Sequence, residues 1–537
     1  MKKYSGNIVD VYKKRIYKGE ITISNGKIND IIEKQVPETQ YILPGLINAH
    51  VHIESSLLTP SAFATIAVQH GTVAVVSDPH EIANVLGVKG IDFMINDGNK
   101  VPLKFFFGAP SCVPATDLES SGAVLDAKII SQLLERQDIH YLSEMMNYPG
   151  VINDIQDIKE KLQAAINNKK PIDGHAPGLT GKQLEKYAKA GITTDHECVS
   201  LKEAEEKIKA GIKIQIREGS AAKNFDALFP LIDKYPNMVM LCTDDSHPED
   251  LISGHINSII KKGLHNGVDF FNILQTATIN PKEHYNLNVG MLRKNDLADF
   301  IIIDNLINFN VQKTIIEGEE VFKFGKTAFR SAKSNELNNF NRKPVNTSDI
   351  DFPAQTDAVP VINIIDKELL TTCSFETPKL TKNSYFSDKK QDILKIVVVN
   401  RYNPKTKPAV GFIKGLGFKK GAICSSVAHD SHNLVAAGVT DKDILSAINK
   451  VIEMKGGIAL AKDNIAYGLQ LEIAGLMTNM NGYEVAEKYK CLEEMTKTLG
   501  SKLQSPFMTL AFMTLLPIPE IKISDKGVFD VVNQRYF

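Results

Sequence analysis

Hydrophobic positions fall into three rhythms along the chain. Over the first forty residues, short β-prone runs (NIVDVY, ITISNG, KINDII) alternate with Gly and Asn turns, the pattern of hairpins in a small sheet. From Tyr41 onward, short apolar runs ending in polar residues alternate with helical stretches. The runs ILPGLINAHVH, TVAVVSD, KFFFGAP, IHYLSEM, PIDGH, ITTDHE, IKIQIRE and MVMLCTDD read as eight strands. Between them lie stretches such as DAKIISQLLERQ, TGKQLEKYAKAG and SLKEAEEKIKAG, several of which start at Asp, Ser or Thr and stop at Gly, as helices do. Strand-helix alternation repeated eight times predicts a closed (β/α)8 TIM-like barrel, with an open doubly wound sheet as the alternative.

After the barrel, LADFIIID and KTIIEGEEVFKFG return to short strands, expected to complete the sheet begun at the N-terminus. Residues 327–358 lose apolar periodicity and are rich in Asn, Ser and Pro, the signature of a linker. A C-terminal α/β or α+β domain follows, with LKIVVVN as a strand and DKDILSAINKVIEM as a helix. The expected limits are 1–40 with 285–345 for the small β domain, 41–284 for the barrel and 350–537 for the C-terminal domain. Residues 55–77 lack charge over a length that could span a bilayer, but Pro60, Gln69, His70 and Gly71 interrupt them. They read as a buried helix followed by a strand.

Composition narrows the function classes. The 537 residues are 43% hydrophobic and 23% charged, near the globular average, which excludes wholesale disorder. With 62 Lys and Arg against 63 Asp and Glu, the formal charge is −1, so no bulk charge asks for nucleic acid or an anionic membrane. A small-molecule partner is expected. The six cysteines are scattered without a CxxC pair, which argues against a disulfide framework and for a reducing cytoplasm. The N-terminus MKKYSGNIVDVYKK has no apolar core of the secretory kind.

Candidate chemistry sits where these strands end, because barrel active sites form at the carboxyl ends of strands. The first strand ends in His50 and His52, two residues apart and so on one face. The fourth ends in Glu144, the fifth in His175, the sixth in His196 and the eighth in Asp244. Each alone has an ordinary reading as a satisfied core histidine or a helix-capping aspartate. Together, four imidazoles and two carboxylates on one mouth suffice to hold two divalent ions, with Glu144 as a bridge. The mixed nitrogen and oxygen set disfavours a closed structural zinc site.

The segments PGLINAHVHIESS, SDPHEIANVLG, HAPGLTG, TTDHE, IREGSAAKN and CTDD, with CSSVAHDSHNLVAAG in the C-terminal domain, resemble the adenine deaminases of the amidohydrolase superfamily over essentially the whole chain. Many superfamily members use a carboxylated lysine on the fourth strand, whereas Glu144 stands here. The resemblance implies hydrolysis of adenine to hypoxanthine and ammonia at a pair of manganese or iron ions, with zinc also compatible. Another binuclear amidohydrolase acting on a cyclic amide or amidine is the alternative reading.

In that reaction Asp244 is the expected proton carrier, and Glu81 and His80 are candidates for the donor near the purine ring nitrogens. Asp78 and Pro79 also read as a turn, with Glu81 starting a helix. Glu54, Asp78, Arg217, Glu218 and Ser220 are candidates for substrate contact, although Glu54 also reads as a helix cap and Arg217 with Glu218 as an exposed pair. Asp245 is expected to orient a ligand or to cap a helix. His429, Asp430 and His432 are expected to support the site or to hold their own loop. A homodimer is the base-rate expectation for the assembly.

Overall fold

The computed structural model describes residues 1–220, 222–366 and 368–537. Two compact units emerge. The first comprises Met1–Pro79, Asp92–Cys112 and Leu125–Lys333; the second comprises His80–Ile91, Val113–Val124 and Ser334–Phe537. Two short excursions from the barrel sequence thus group with the C-terminal part, a division that no shift in composition marks.

In the first unit, β1 (Lys2–Asp10), β2 (Arg15–Ser24), β3 (Lys27–Glu33) and β4 (Tyr41–Pro44) precede the barrel, and β14 (Phe300–Ile303), β15 (Val311–Ile316), β16 (Glu319–Lys323) and β17 (Lys326–Thr327) follow it. All eight form one sheet, in the order β17-β16-β15-β14-β4-β1-β2-β3. The two halves meet where β4 runs antiparallel to β14, with Leu43 opposite Ile301. The alternating apolar positions predicted for the first hairpin, Ile8, Ile21, Ile23 and Ile28, pack with Phe300, Ile302 and Ile315 in one core.

The barrel strands are β5 (Leu46–His52), β6 (Thr72–Ser77), β7 (Lys104–Ala109), β8 (Ile139–Met145), β9 (Ile172–Gly174), β10 (Thr194–Asp195), β11 (Lys213–Arg217) and β12 (Val239–Cys242), continued by β13 (Asp244–Asp245). β13-β5-β6-β7-β8-β9 form one parallel run and β10-β11-β12 another. Asp244 opposite Val51 joins the last strand to the first. The Thr193 amide, donating to the Ile172 carbonyl at 2.9 Å, links the sixth to the fifth. Every residue of β5 and β6 is buried, as parallel strands covered on both faces require. The uncharged stretch resolves into the helix Pro60–Ala67 and strand β6. Among the described residues no helix is long and apolar enough to cross a membrane.

In the second unit, residues 331–346 carry neither helix nor strand. β18 (Val359–Ile364) and β19 (Thr371–Glu376) lead into the small hairpin β20 (Lys379–Thr381) and β21 (Ser384–Phe386). β22 (Ile393–Val399), β23 (Ala409–Lys414), β24 (Ala422–Ser425), β25 (Leu434–Gly438), β26 (Gly457–Lys462) and β27 (Ile465–Gln470) complete an eight-stranded sheet, ordered β19-β18-β23-β22-β25-β24-β26-β27. The helix Asp441–Glu453 lays Ile444, Ala447, Ile448 and Val451 on Val397, Val399, Cys424 and Ala436, the helical period of one meeting the two-residue period of the other. Its first turn is capped by Thr440, whose hydroxyl accepts the Asp443 amide at 3.1 Å.

Candidate metal centre

The carboxyl ends of the barrel strands gather the six residues predicted as ligands into one cluster, in which all but the partly exposed His175 are buried. His50 and His52 project from the end of β5 with their Nε2 atoms 3.1 Å apart. Asp244 Oδ1 lies 3.3 Å from His50 Nε2 and 3.2 Å from His52 Nε2. Glu144, near the end of β8, has Oε1 3.3 Å from His52 Nε2, and Oε2 2.9 Å from His175 Nδ1 and 3.1 Å from His196 Nε2. One carboxylate therefore faces both sets of imidazoles. His50, His196 and Asp244 form one group able to hold a cation, and Glu144, His175 and His196 form another.

The donor chemistry suits a divalent ion. His52 Nδ1 lies 3.1 Å from the Asp78 carbonyl oxygen, an acceptor only, so that nitrogen carries a proton. Its Nε2 then turns a lone pair towards two carboxylate oxygens unless a proton or a metal stands among them. A backbone carbonyl behind a ligating imidazole is the usual device for fixing the ring in its metal-binding tautomer.

Electrostatics point the same way. Burial disfavours charge on His52, but Asp244 and Glu144 outweigh it and hold the imidazole well above the usual histidine range. Burial would raise Glu144, yet hydrogen bonds from His175, His196 and His52 hold it well below the ordinary carboxylate value. Asp244 is likewise held down against burial, first by Arg217 and then by His50 and His52. His50 is lowered by burial and by His196. His175 rises to about 9 because Glu197 and Glu144 overcome its burial. Positive charge is favoured at His52 and His175 and disfavoured at His50.

Comparison with known proteins agrees with this chemistry. Residues 41–321 match the amidohydrolase family, and residues 368–535 match the adenine deaminase C-terminal domain. Adenine deaminase from Methanosarcina mazei is 54% identical, covering 100% of this chain and 99% of the relative. The chain belongs to the adenine deaminase family. Further relatives of that name are those of Salinibacter ruber, 48% identical over 98% of this chain and 96% of the relative, and Borreliella burgdorferi, 45% identical over 98% of each.

Beyond the ligand candidates, this family member places the remaining predicted residues unevenly. Glu54 is buried in the turn Ile53–Ser56 after β5, and its carbonyl accepts the Leu57 amide at 2.8 Å. The Asp78 amide donates to the Val51 carbonyl at 3.2 Å, tying the end of β6 to β5. Arg217 is buried and bidentate on Glu197, with Nη1 2.6 Å from Oε1 and Nη2 3.0 Å from Oε2, and Nη1 is also 2.6 Å from Asp244 Oδ2. Glu218 is paired with Lys262 at 3.2 Å. The Ser220 amide donates to the Asp245 carbonyl at 2.7 Å, and its hydroxyl donates to Asp250. Asp245 Oδ1 accepts the Ser55 hydroxyl at 2.5 Å. Ser220 and Asp245 thus brace the turns that follow the seventh and eighth strands.

The second unit brings His80, Glu81, His429, Asp430 and His432 together. Glu81 Oε1 is 2.8 Å from His429 Nδ1, and Oε2 contacts His432 Nε2. His432 Nδ1 accepts the Ala428 amide at 3.2 Å, which leaves its Nε2 to donate. His80 Nε2 lies 3.5 Å from Glu81 Oε1 and 3.9 Å from Asp430 Oδ1. The His429 ring stacks on Phe512 with centroids 4.6 Å apart. Burial would raise Glu81, but His429, His432 and His80 hold it well below the carboxylate range.

Sequence reasoning missed Glu197, the partner of Arg217, although its place beside His196 in TTDHE was a signal. It also missed Asp173, on which the Tyr285 hydroxyl donates at 2.8 Å and which burial pushes up to about 7. Tyr187 was missed as well. Its hydroxyl accepts the His175 amide and donates to the Met145 carbonyl, each at 3.1 Å, linking the fifth strand end to the fourth.

Proposed function

We propose that the chain hydrolyses adenine to hypoxanthine and ammonia. The reading rests on one observation above all: the Glu144 carboxylate meets His52 through one oxygen and His175 and His196 through the other. In this reading His50, His52 and Asp244 would hold one divalent ion and His175 and His196 a second, with Glu144 serving both. Manganese or iron is proposed, with zinc compatible with the same ligands. Such a pair, when bound, supplies Lewis acidity and lowers the pKa of water from about 16 towards neutrality.

The chain's own residues do the rest. A water oxygen bonds to purine C6 as the C6–N bond to the exocyclic amine breaks. Asp244 accepts the proton that the water gives up and delivers it to the departing amine, which leaves as ammonia. Arg217 holds Asp244 Oδ2 at 2.6 Å and so fixes the orientation of that carboxylate. From the motif Asp78-Pro79-His80-Glu81, His80 is proposed to supply the proton that stabilises charge on the ring nitrogens, with the Glu81 carboxylate 3.5 Å away as its counter-charge, and the proton left on the C6 oxygen returns to His80 as hypoxanthine forms.

The reading takes residues 1–40 with 285–345, 41–284 and 350–537 as its three domains. The sheet shared by β1 to β4 and β14 to β17 supports the first of these. A cytoplasmic enzyme is proposed on the six cysteines, all of which are free thiols, and a homodimer on base rates alone.

The experiment is ammonia release from adenine by manganese-loaded protein, with cytosine, adenosine and chelator-stripped protein beside it. Metal-dependent release from adenine alone is expected. No release by protein holding two equivalents of metal would move the substrate to another cyclic amide or amidine.

A further inference from the structure

We infer that Lys207 is a positioning residue that holds His175 and His196 in ligating geometry, and that it acts on one of the two ion positions only. The inference rests on the two-ion reading above and concerns a side chain with no place in the chemistry.

Lys207 lies on the helix Leu201–Lys209 and is completely buried. An ammonium has three protons to donate, and here each has an acceptor. Nζ lies 2.7 Å from the Ala176 carbonyl oxygen, 2.9 Å from Asp195 Oδ1 and 3.0 Å from Glu203 Oε1. Ala176 directly follows His175, and Asp195 directly precedes His196. The two anions extend the grip. Asp195 also accepts the Ala176 amide through Oδ2 and the Glu197 amide through Oδ1, both at 2.9 Å. Glu203 Oε1 accepts the Gly178 amide at 2.9 Å, and Oε2 accepts the Val199 amide at 3.4 Å. One buried cation with two carboxylates thus laces residues 176–178, after the fifth strand, to residues 195–199, which begin at the last residue of the sixth.

None of these contacts reaches His50, His52 or Asp244; His196, which also groups with His50 and Asp244, is assigned to the second ion by the two-ion reading. A fully satisfied buried charge network is costly to build and rigid once built, and it is strongly destabilised by losing one member. Its place between two ligand-bearing turns makes ligand orientation the property it controls. Groups that orient metal ligands from behind typically change metal affinity by about 10–100-fold when removed.

The test measures metal equivalents by elemental analysis across a manganese titration, together with kcat and KM for adenine, in wild type, Lys207→Met and Lys395→Met. Lys395 is the control: an equally buried lysine, 2.8 Å from Asp441 Oδ1, in the other unit. Lys207→Met is expected to keep one equivalent at wild-type affinity and to weaken the other by about 10–100-fold, with activity returning at high manganese. Lys395→Met is expected to lose stability and keep both equivalents.

If Lys207→Met does not fold, Glu203→Gln, which leaves the cation in place, is expected to weaken the same single equivalent less severely. Equal loss of both equivalents, loss of neither, or the same selective loss in Lys395→Met overturns the inference. Wild-type protein that saturates at one equivalent overturns the two-ion reading and this inference with it, and that outcome is visible before any variant is made.

Discussion

The Arg217 guanidinium lies 2.6 Å from Asp244 Oδ2, with both side chains buried. The proposed proton carrier is therefore bound on one oxygen by a fixed cation and on the other by the His50 and His52 imidazoles. Arg217→Met is expected to cut kcat for adenine by about 100-fold or more, the scale of losing a general acid–base contribution. It should also destabilise the protein by about 3–5 kcal/mol, because Glu197 and Asp244 would be left buried without their counter-charge. Steady-state kinetics and urea unfolding check the two effects separately. Unchanged kcat would remove Asp244 from its proposed role.

Glu144→Gln keeps the side-chain volume but leaves one ligand oxygen in place of two. It is expected to abolish turnover and to hold fewer than two equivalents of manganese, with far-ultraviolet circular dichroism like that of wild type. Full turnover in this variant would sink the bridging assignment.

His255 is shifted in the opposite sense to His52 and His175. Its Nε2 is 2.9 Å from Asn48 Nδ2 and its Nδ1 is 2.6 Å from the Thr72 hydroxyl, and burial pushes it down to about 3. The unfolded chain takes up this proton near pH 6.5 and the folded chain does not until about pH 3. The contribution to stability is thus complete above pH 6.5 and is lost as pH falls from 6.5 towards 3. His255→Gln, measured by urea unfolding between pH 7 and 4, is expected to be less stable at pH 7 and to lose stability less steeply on acidification. Parallel curves for the two proteins would contradict the assignment.

In the second unit, Thr440→Ala removes the hydroxyl that accepts the Asp443 amide at the start of the helix Asp441–Glu453. A loss of about 1 kcal/mol is expected, with little change in kcat at 25 °C. Thermal unfolding against assay at that temperature distinguishes this from a functional effect.

Much of the barrel, and the gathering of His50, His52, Glu144, His175, His196 and Asp244 at its strand ends, was legible in the chain alone. His50 and His52 share a face because side chains in a strand alternate, and strand-end polar residues meet because barrel strands are parallel and in register. These are local periods combined with one topological rule. The shared sheet of β1 to β4 with β14 to β17 was inferred from strand type and needed only edge pairing to form.

What only the tertiary structure decided is which charges neutralise which. Arg217 read equally as a substrate contact or as half of an exposed pair with Glu218, yet it is buried on Glu197 and Asp244, 20 and 27 positions away in the chain. Glu81 finds His429 and His432 across some 350 residues in a unit that takes the helix His80–Leu86 out of the barrel sequence. Lys207 sits in a helix whose sequence, LKEAEEKIK, looks like any solvated amphipathic surface. Periodicity announces which face of an element is buried, because it is a property of one element. The partner of a buried charge depends on how several elements converge, since an ion pair has no spacing in sequence, and that convergence set the chemistry here.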